Sequence, residues 1–169
     1  ASLNPPGERI VTLHSTIDQF HPEGSEDDFV SLSTQCFGSE QTIHPAGWRH
    51  LRDFHCDSHR VQWTWRTPGD VTIRRTLELT PGQNSCTLSW SFSDLSTPGM
   101  MTVRPLAVMR DHHALRQDDP GDFSSTADGR RCLVRGSGHS IVLTADRGEW
   151  TGDSQWWHHF EYPVERARG

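Results

Sequence analysis

Residues 70–92 read DVTIRRTLELTPGQNSCTLSWSF, and their alternation decides the fold class. Val71, Ile73, Leu77 and Leu79 recur at every second position, while Thr72, Arg74, Thr76 and Glu78 fill the gaps. Side chains alternate across a strand, so this spacing gives a half-buried strand with one apolar face. One residue breaks the pattern: Arg75 falls on the apolar face. Cys86, Leu88, Trp90 and Phe92 then alternate with Ser and Thr. The intervening TPGQN, residues 80–84, has turn composition. Two alternating runs joined by so short a turn predict an antiparallel hairpin.

Working outward, VQWTWR at residues 61–66 puts Val61, Trp63 and Trp65 on one face, directed at the core, and Thr67-Pro68-Gly69-Asp70 forms the next turn. Further strands are predicted over Arg9–Leu13, Phe29–Phe37, Met101–Met109, Arg131–Arg135, Ser140–Ala145 and Trp156–Tyr162. Turns rich in Pro, Gly, Asp and Ser separate them, and no segment sustains a helical period. Many short strands at regular spacing predict an all-β sandwich or barrel of antiparallel sheets. The length of 169 residues, without repeat, linker or low-complexity tract, predicts one domain over residues 1–169.

The bulk chemistry narrows the function. Mean hydropathy is −0.68, polar for a globular chain, yet seven Trp and seven Phe supply large apolar side chains to bury. All 16 basic residues are Arg, and the net charge is −6. An acidic chain without a basic run fits neither a general nucleic-acid binder nor an anionic-membrane binder. Scattered Arg suits ion pairs and the recognition of neutral polar ligands. Cys36, Cys56, Cys86 and Cys132 are widely spaced with no C-x-x-C pair, as expected of reduced thiols in a cytoplasmic protein. No apolar run is long enough to span a membrane, and nothing resembles a signal peptide.

The sequence admits four kinds of site chemistry. Eleven His invite a metal, but the local groups His55-Cys56-x-x-His59, Asp111-His112-His113 and His158-His159-x-Glu161 contain no H-x-H. Adjacent residues on a strand point to opposite faces, so neither His pair makes a clamp, and no metal or cofactor is expected. Nucleophilic catalysis lacks a G-x-S-x-G elbow. Asp111, Glu161 and Glu165 are candidate paired carboxylates of the kind glycosidases use, with ion-paired structural acids as the plainer reading. Aromatic rings beside polar forks are more informative. Trp48, Trp156, Trp157 and Tyr162 stand near Arg, His and Asp, a composition that permits sugar binding. If the 156–162 segment is extended, Trp156 and Trp157 point to opposite faces, leaving one as an exposed platform.

Several motifs then resemble one family. TIHPAGWRHLRDF (residues 42–54) resembles the T-I-H-P-x-G-aromatic-x-x-L-x-x-F segment of glycogen debranching enzymes of the bacterial and archaeal amylo-α-1,6-glucosidase type. LNPPGER (3–9) is similar to a turn near the start of their N-terminal domain, and PGQNS (81–85) to its H-G-Q-N-T turn. RPLAVMRDHHAL (104–115) resembles R-P-L-x-x-x-R-D-Y-H-x-L, and WWHHFEYPVERARG (156–169) resembles W-Y-x-N-F-x-Y-x-x-E-x-x-R-G. The motifs occur in the family's order over nearly the whole chain. His112 and Trp157 replace Tyr, His159 replaces Asn, and Pro81 stands where His is common.

The resemblance implies a two-sheet β-sandwich, a supersandwich of the galactose-mutarotase-like kind. In the family this domain precedes an (α/α)6 barrel that hydrolyses α-1,6-glucosidic branch points. No barrel is read in this chain, so it is expected to be a non-catalytic fragment or free-standing copy of the domain. It would recognise an α-glucan, glycogen or maltooligosaccharide, or pack on the catalytic barrel. The residues carried over are Arg104, Arg110, Asp111 and His113 from one motif, and Trp156, Trp157, Glu161 and Arg168 from the other. The rival readings are a structural domain that packs on the barrel or forms a homodimer, and a His-rich metal-dependent enzyme.

Overall fold

The computed structural model describes residues 2–4, 8–22, 28–114, 121–152 and 154–162. Among them the regular elements are strands, save one 3-10 turn at Gly47–His50. In chain order the strands are β1 (Ser2–Asn4), β2 (Glu8–Pro22), β3 (Val30–Ser31), β4 (Thr34–Phe37), β5 (Thr42–Ala46), β6 (Leu51–Cys56) and β7 (Arg60–Arg66). They continue with β8 (Thr72–Leu79), β9 (Cys86–Ser93), β10 (Gly99–Asp111), β11 (Ser124–Asp128), β12 (Arg131–Gly136) and β13 (His139–Thr144). The all-β, antiparallel class read from the alternation is the one observed. Contacts divide the chain into two compact units, residues 1–15 with 105–160 and residues 16–104 with 161–169. The chain passes between them along β2 and β10.

The larger unit is built on the sheet β6-β7-β8-β9. Its predicted hairpin is β8–β9, in register from Thr72↔Ser93 to Leu79↔Cys86. Thr80 N donates to the carbonyl of Ser85 (3.1 Å) across the turn, where Gly82 takes φ +73°. Glycine meets that left-handed backbone without steric cost. Trp65, Ile73 and Phe92 stand in one row of the sheet, and Trp63, Arg75 and Trp90 in the next. Phe20, Leu32, Trp65, Val71 and Ile73 form the buried core, with Val30, Leu51, Trp63, Trp90 and Met101 packed on it. Residues of β2, β3 and β10 thus cover one side and β6–β9 the other, so this unit is two-layered like a sandwich. Trp63 and Trp65 face the core, as the alternation with Val61 requires.

The smaller unit contains the sheet β11-β12-β13, with Cys132 buried on the central strand. A Cβ on Gly136 would lie 2.9 Å from the Phe123 ring, so the aromatic side chain packs directly on that backbone. Met109, at 1% exposure, is buried near the end of β10 despite φ 40°. Among the described residues β10 ends the sheet order β1-β2-β10, which puts Pro105 on an edge strand, where proline is tolerated.

Three local differences have physical causes. The expected strand Phe29–Phe37 is divided into β3 and β4, because Leu32 N donates to the Asp18 carbonyl while the Ser33 carbonyl accepts from Gly47 N. The chain changes partners between those two buried residues. The expected strand Arg9–Leu13 extends to Pro22, through a Thr16-Ile17-Asp18 stretch whose buried polar residues hide the alternation. Trp156–Tyr162 forms no strand beyond a single bridge at Phe160.

Candidate functional site

The expected site residues fall in different places. Arg110, Asp111, His113, Trp156 and Trp157 belong to the smaller unit, and Arg104 and Glu161 to the larger. Arg168 and Glu165 lie outside the described residues.

At the end of β10, Arg110 Nη1 donates to the carbonyls of Asp111 (3.1 Å), His112 (3.2 Å) and Ala114 (2.6 Å). Asp111 Oδ1 accepts from His113 N at 2.8 Å. His112 N donates to the Arg9 carbonyl at 2.9 Å, tying the turn to β2. The guanidinium therefore gathers the carbonyls at the strand end, and the carboxylate closes an Asx turn. Asp111 and His113 remain exposed, and the His112 and His113 rings stand 4.8 Å apart.

Trp156 and Trp157 are both half-buried and have different neighbours. The Trp156 ring packs on Phe123 at 5.7 Å, and its buried Nε1 has no hydrogen-bond partner among the described residues. Trp157 stacks on Phe160 at 6.3 Å and 15° between planes, and Phe160 meets His14 edge-on at 5.8 Å. In the larger unit Arg104 is half-buried on β10, and Glu161 N donates to the Cys36 carbonyl at 2.8 Å. Among the described residues no three His, Cys, Asp or Glu come together as a metal-binding group.

The densest polar constellation is one the motifs do not touch. Arg75 Nη1 lies 3.0 Å from Asp18 Oδ2, and Asp18 is completely buried. Trp90 Nε1 donates to the same oxygen at 3.1 Å, and Thr16 Oγ1 accepts from Arg75 Nη1 at 3.3 Å. The guanidinium carbon stands 4.1 Å from the Trp63 ring centroid and 5.7 Å from that of Trp65. Asp18 N donates to Ser33 Oγ (2.7 Å), which in turn donates to the Thr16 carbonyl (3.0 Å). An ion pair removed from water needs such extra donors to offset desolvation. Asp18 Oδ1 and Arg75 Nε nevertheless lack partners among the described residues. The signal was present in the sequence as the one charged residue on the apolar face of β8. It called for a buried acid, but nothing local marked Asp18 as that acid.

The family described as glycogen debranching enzyme N terminal matches residues 1–169. The chain belongs to this family. No curated protein matches, and no solved structure matches. The resemblance carried by five short motifs is thus a membership that spans the whole chain, including the Asp18–Arg75 cluster.

In this debranching-enzyme N-terminal domain, the 42–54 segment shows why its glycine is there. A Cβ on Gly47 would lie 2.3 Å from the Leu32 carbonyl carbon and 2.7 Å from Ser33 N. Backbone packs on backbone, and Gly47 N donates to the Ser33 carbonyl at 2.8 Å. The next residue, Trp48, is held by its own N–H to Thr34 Oγ1 (2.9 Å), yet its side chain is left 52% exposed with Arg49 5.8 Å from the ring centroid. Large aromatic surfaces are usually covered. An exposed indole anchored through its backbone is a ready stacking face.

Proposed function

We propose that this domain is a non-catalytic accessory module of a glycogen-debranching glycoside hydrolase, recognising α-glucan and packing on the catalytic domain. The family match over residues 1–169 carries this reading. Residues 1–169 act as one β-sandwich domain in it, working in the cytoplasm. No helix among the described residues is long and apolar enough to cross a membrane.

Glucan contact is assigned to exposed aromatic and hydrogen-bonding side chains. Trp48, the one exposed tryptophan among the described residues, with Arg49 beside its ring, offers an open aromatic face for a pyranose. Asp111 and His113 are exposed at the end of β10 and offer groups for sugar hydroxyls. Arg104, Arg110, Trp156, Trp157, Glu161 and Arg168 are assigned either to glucan contact or to packing on the catalytic domain. Titration with maltoheptaose, followed by calorimetry and tryptophan fluorescence, should give saturable binding in the millimolar range, weakened several-fold by Trp48→Ala. A purified branched oligosaccharide should release no glucose. Absence of any binding would overturn glucan recognition, and clear glucose release would overturn the non-catalytic role.

One observation favours a purely structural role for part of this set. Arg110 and Asp111 already serve the backbone of their own turn. If that is their whole purpose, Arg110→Ala loosens residues 110–114 and leaves glucan affinity unchanged.

A further inference from the structure

The two edges of the β6-β7-β8-β9 sheet are built differently. β6, LRDFHC, carries Arg52, Asp53 and His55, and its pairing with β7 is broken by a register shift between Leu51 and Asp53. Charges and bulges are the devices that keep an edge strand from accepting another chain. β9, CTLSWSFS, has none of them. Its residues include no charge, no Pro and no Gly, and its register with β8 runs unbroken from Ser93 to Cys86. Among the described residues β9 has a neighbouring strand on one side only. Cys86, Thr87, Ser89, Ser91 and Ser93 are exposed, and Phe92 keeps 36% of its surface open.

The geometry points to a second copy of this chain as the partner that β9 accepts, strand against antiparallel strand. An antiparallel pair keeps facing residues on the same side of the sheet. With Trp90 opposite its own symmetry mate, Leu88 meets Phe92 of the other copy and Ser89 meets Ser91. Thr87 then meets Ser93. Apolar groups face apolar groups and hydroxyls face hydroxyls along the whole strand, so the edge is complementary to itself, as a two-fold contact requires.

Charge does not oppose the same occupant at the contact itself. A chain of net charge −6 repels its own copy, so the contact has to fall where acids are missing. The nearest acid, Asp94, directs Oδ2 back to its own sheet, accepting from Thr72 Oγ1 at 3.1 Å and lying 3.7 Å from Arg66 Nη1. In the register centred on Trp90 it falls opposite Cys86, not opposite another acid. The two sheets would then run on as one, β6 to β9 followed by β9 to β6, leaving only the guarded β6 edges open.

Sedimentation of the 169-residue chain over a concentration series tests this, with two double variants. The unaltered chain should dimerise. Ser89→Lys/Ser91→Lys and Ser89→Asp/Ser91→Asp should each weaken the dimer by about tenfold or more, because like charges come to face each other across the pair. An equimolar mixture of the two variants should restore the dimer, which a merely misfolded variant would not do. A chain that is monomeric throughout the series overturns the proposal. So does a lysine variant that dimerises as tightly as the unaltered chain, or a mixture that stays monomeric. The second outcome would place the dimer contact elsewhere on the molecule, and the third would mean that the substitutions act through the fold of β9 and not across the pair.

Discussion

Arg75 stacks its guanidinium 4.1 Å above the Trp63 ring while its Nη1 reaches Asp18 at 3.0 Å. One side chain thus joins a cation–π contact to a buried ion pair, and joins β8 to β2 across the core of the larger unit.

That arrangement predicts a strongly asymmetric mutational response. Asp18→Ala leaves Arg75 and the Trp90 indole without their acceptor in a buried site, and should destabilise the fold by about 3–5 kcal/mol. Asp18→Asn retains an acceptor for the indole and should be milder. Replacing both charges, Asp18→Leu with Arg75→Met, should recover most of the loss, since a well-packed apolar pair is often as stable as a buried ion pair. Urea denaturation of the four proteins checks the order.

Gly47→Ala should cost stability even though alanine is the smaller change at most positions. Its Cβ would overlap the Leu32 carbonyl carbon and oxygen at 2.3 and 2.5 Å, and backbone atoms do not swing aside as side-chain ends do. A loss of about 1–3 kcal/mol is expected from such overpacking. The Trp48 side chain should move with it, which a change in near-ultraviolet circular dichroism would reveal.

The β6–β7 turn should respond to acid in a defined direction. Asp57 accepts from His59 N (3.0 Å) and Arg60 N (2.9 Å), and these backbone bonds hold its carboxyl below the ordinary aspartate range, with the Arg60 charge adding to the effect. A folded-state pKa that is lowered adds stability above the unfolded pKa, and that stability is lost as pH falls through the folded value. The His59 and Arg60 amide resonances should therefore titrate below the usual aspartate midpoint. Asp57→Asn should remove that titration.

Thiol labelling of the native protein should separate the cysteines by burial. Cys56 and Cys86 are exposed and Cys132 is buried. A water-soluble disulfide reagent should modify the first two quickly and Cys132 only on unfolding, with Cys36 between them. Fast labelling of Cys132 would contradict the packing of β12.

The legible parts of this fold were those where one face is apolar and the other polar. β7, β8 and β9 announce themselves, because burial on one side forces a period of two on the sequence. β5, β6 and β11 do not, since their mostly exposed residues carry no such constraint. β2 is legible only in part, because its most buried stretch contains Thr16 and Asp18, and pattern counts both as polar. The buried cluster was half-legible for the same reason. Arg75 stood out as an intruder on an apolar face, but its partner lies 57 residues away in the chain, on a strand whose period gives no hint of it. The RDHH end was legible as a polar cluster; that Arg110 addresses three carbonyls of its own turn depends on backbone geometry that no residue spacing encodes.

The indole of Trp90 donates its N–H to a buried carboxylate, and Trp63 lies beneath a guanidinium. Trp48 instead faces solvent. Their emission should be sensitive to different events: the first two to whether the internal charge pair is intact, the third to whatever settles on the surface. The protein thus contains its own two-channel optical reporter. Single Trp→Phe replacements would assign each channel, so that loss of structure and occupancy by a ligand can be followed separately in one sample without an attached dye.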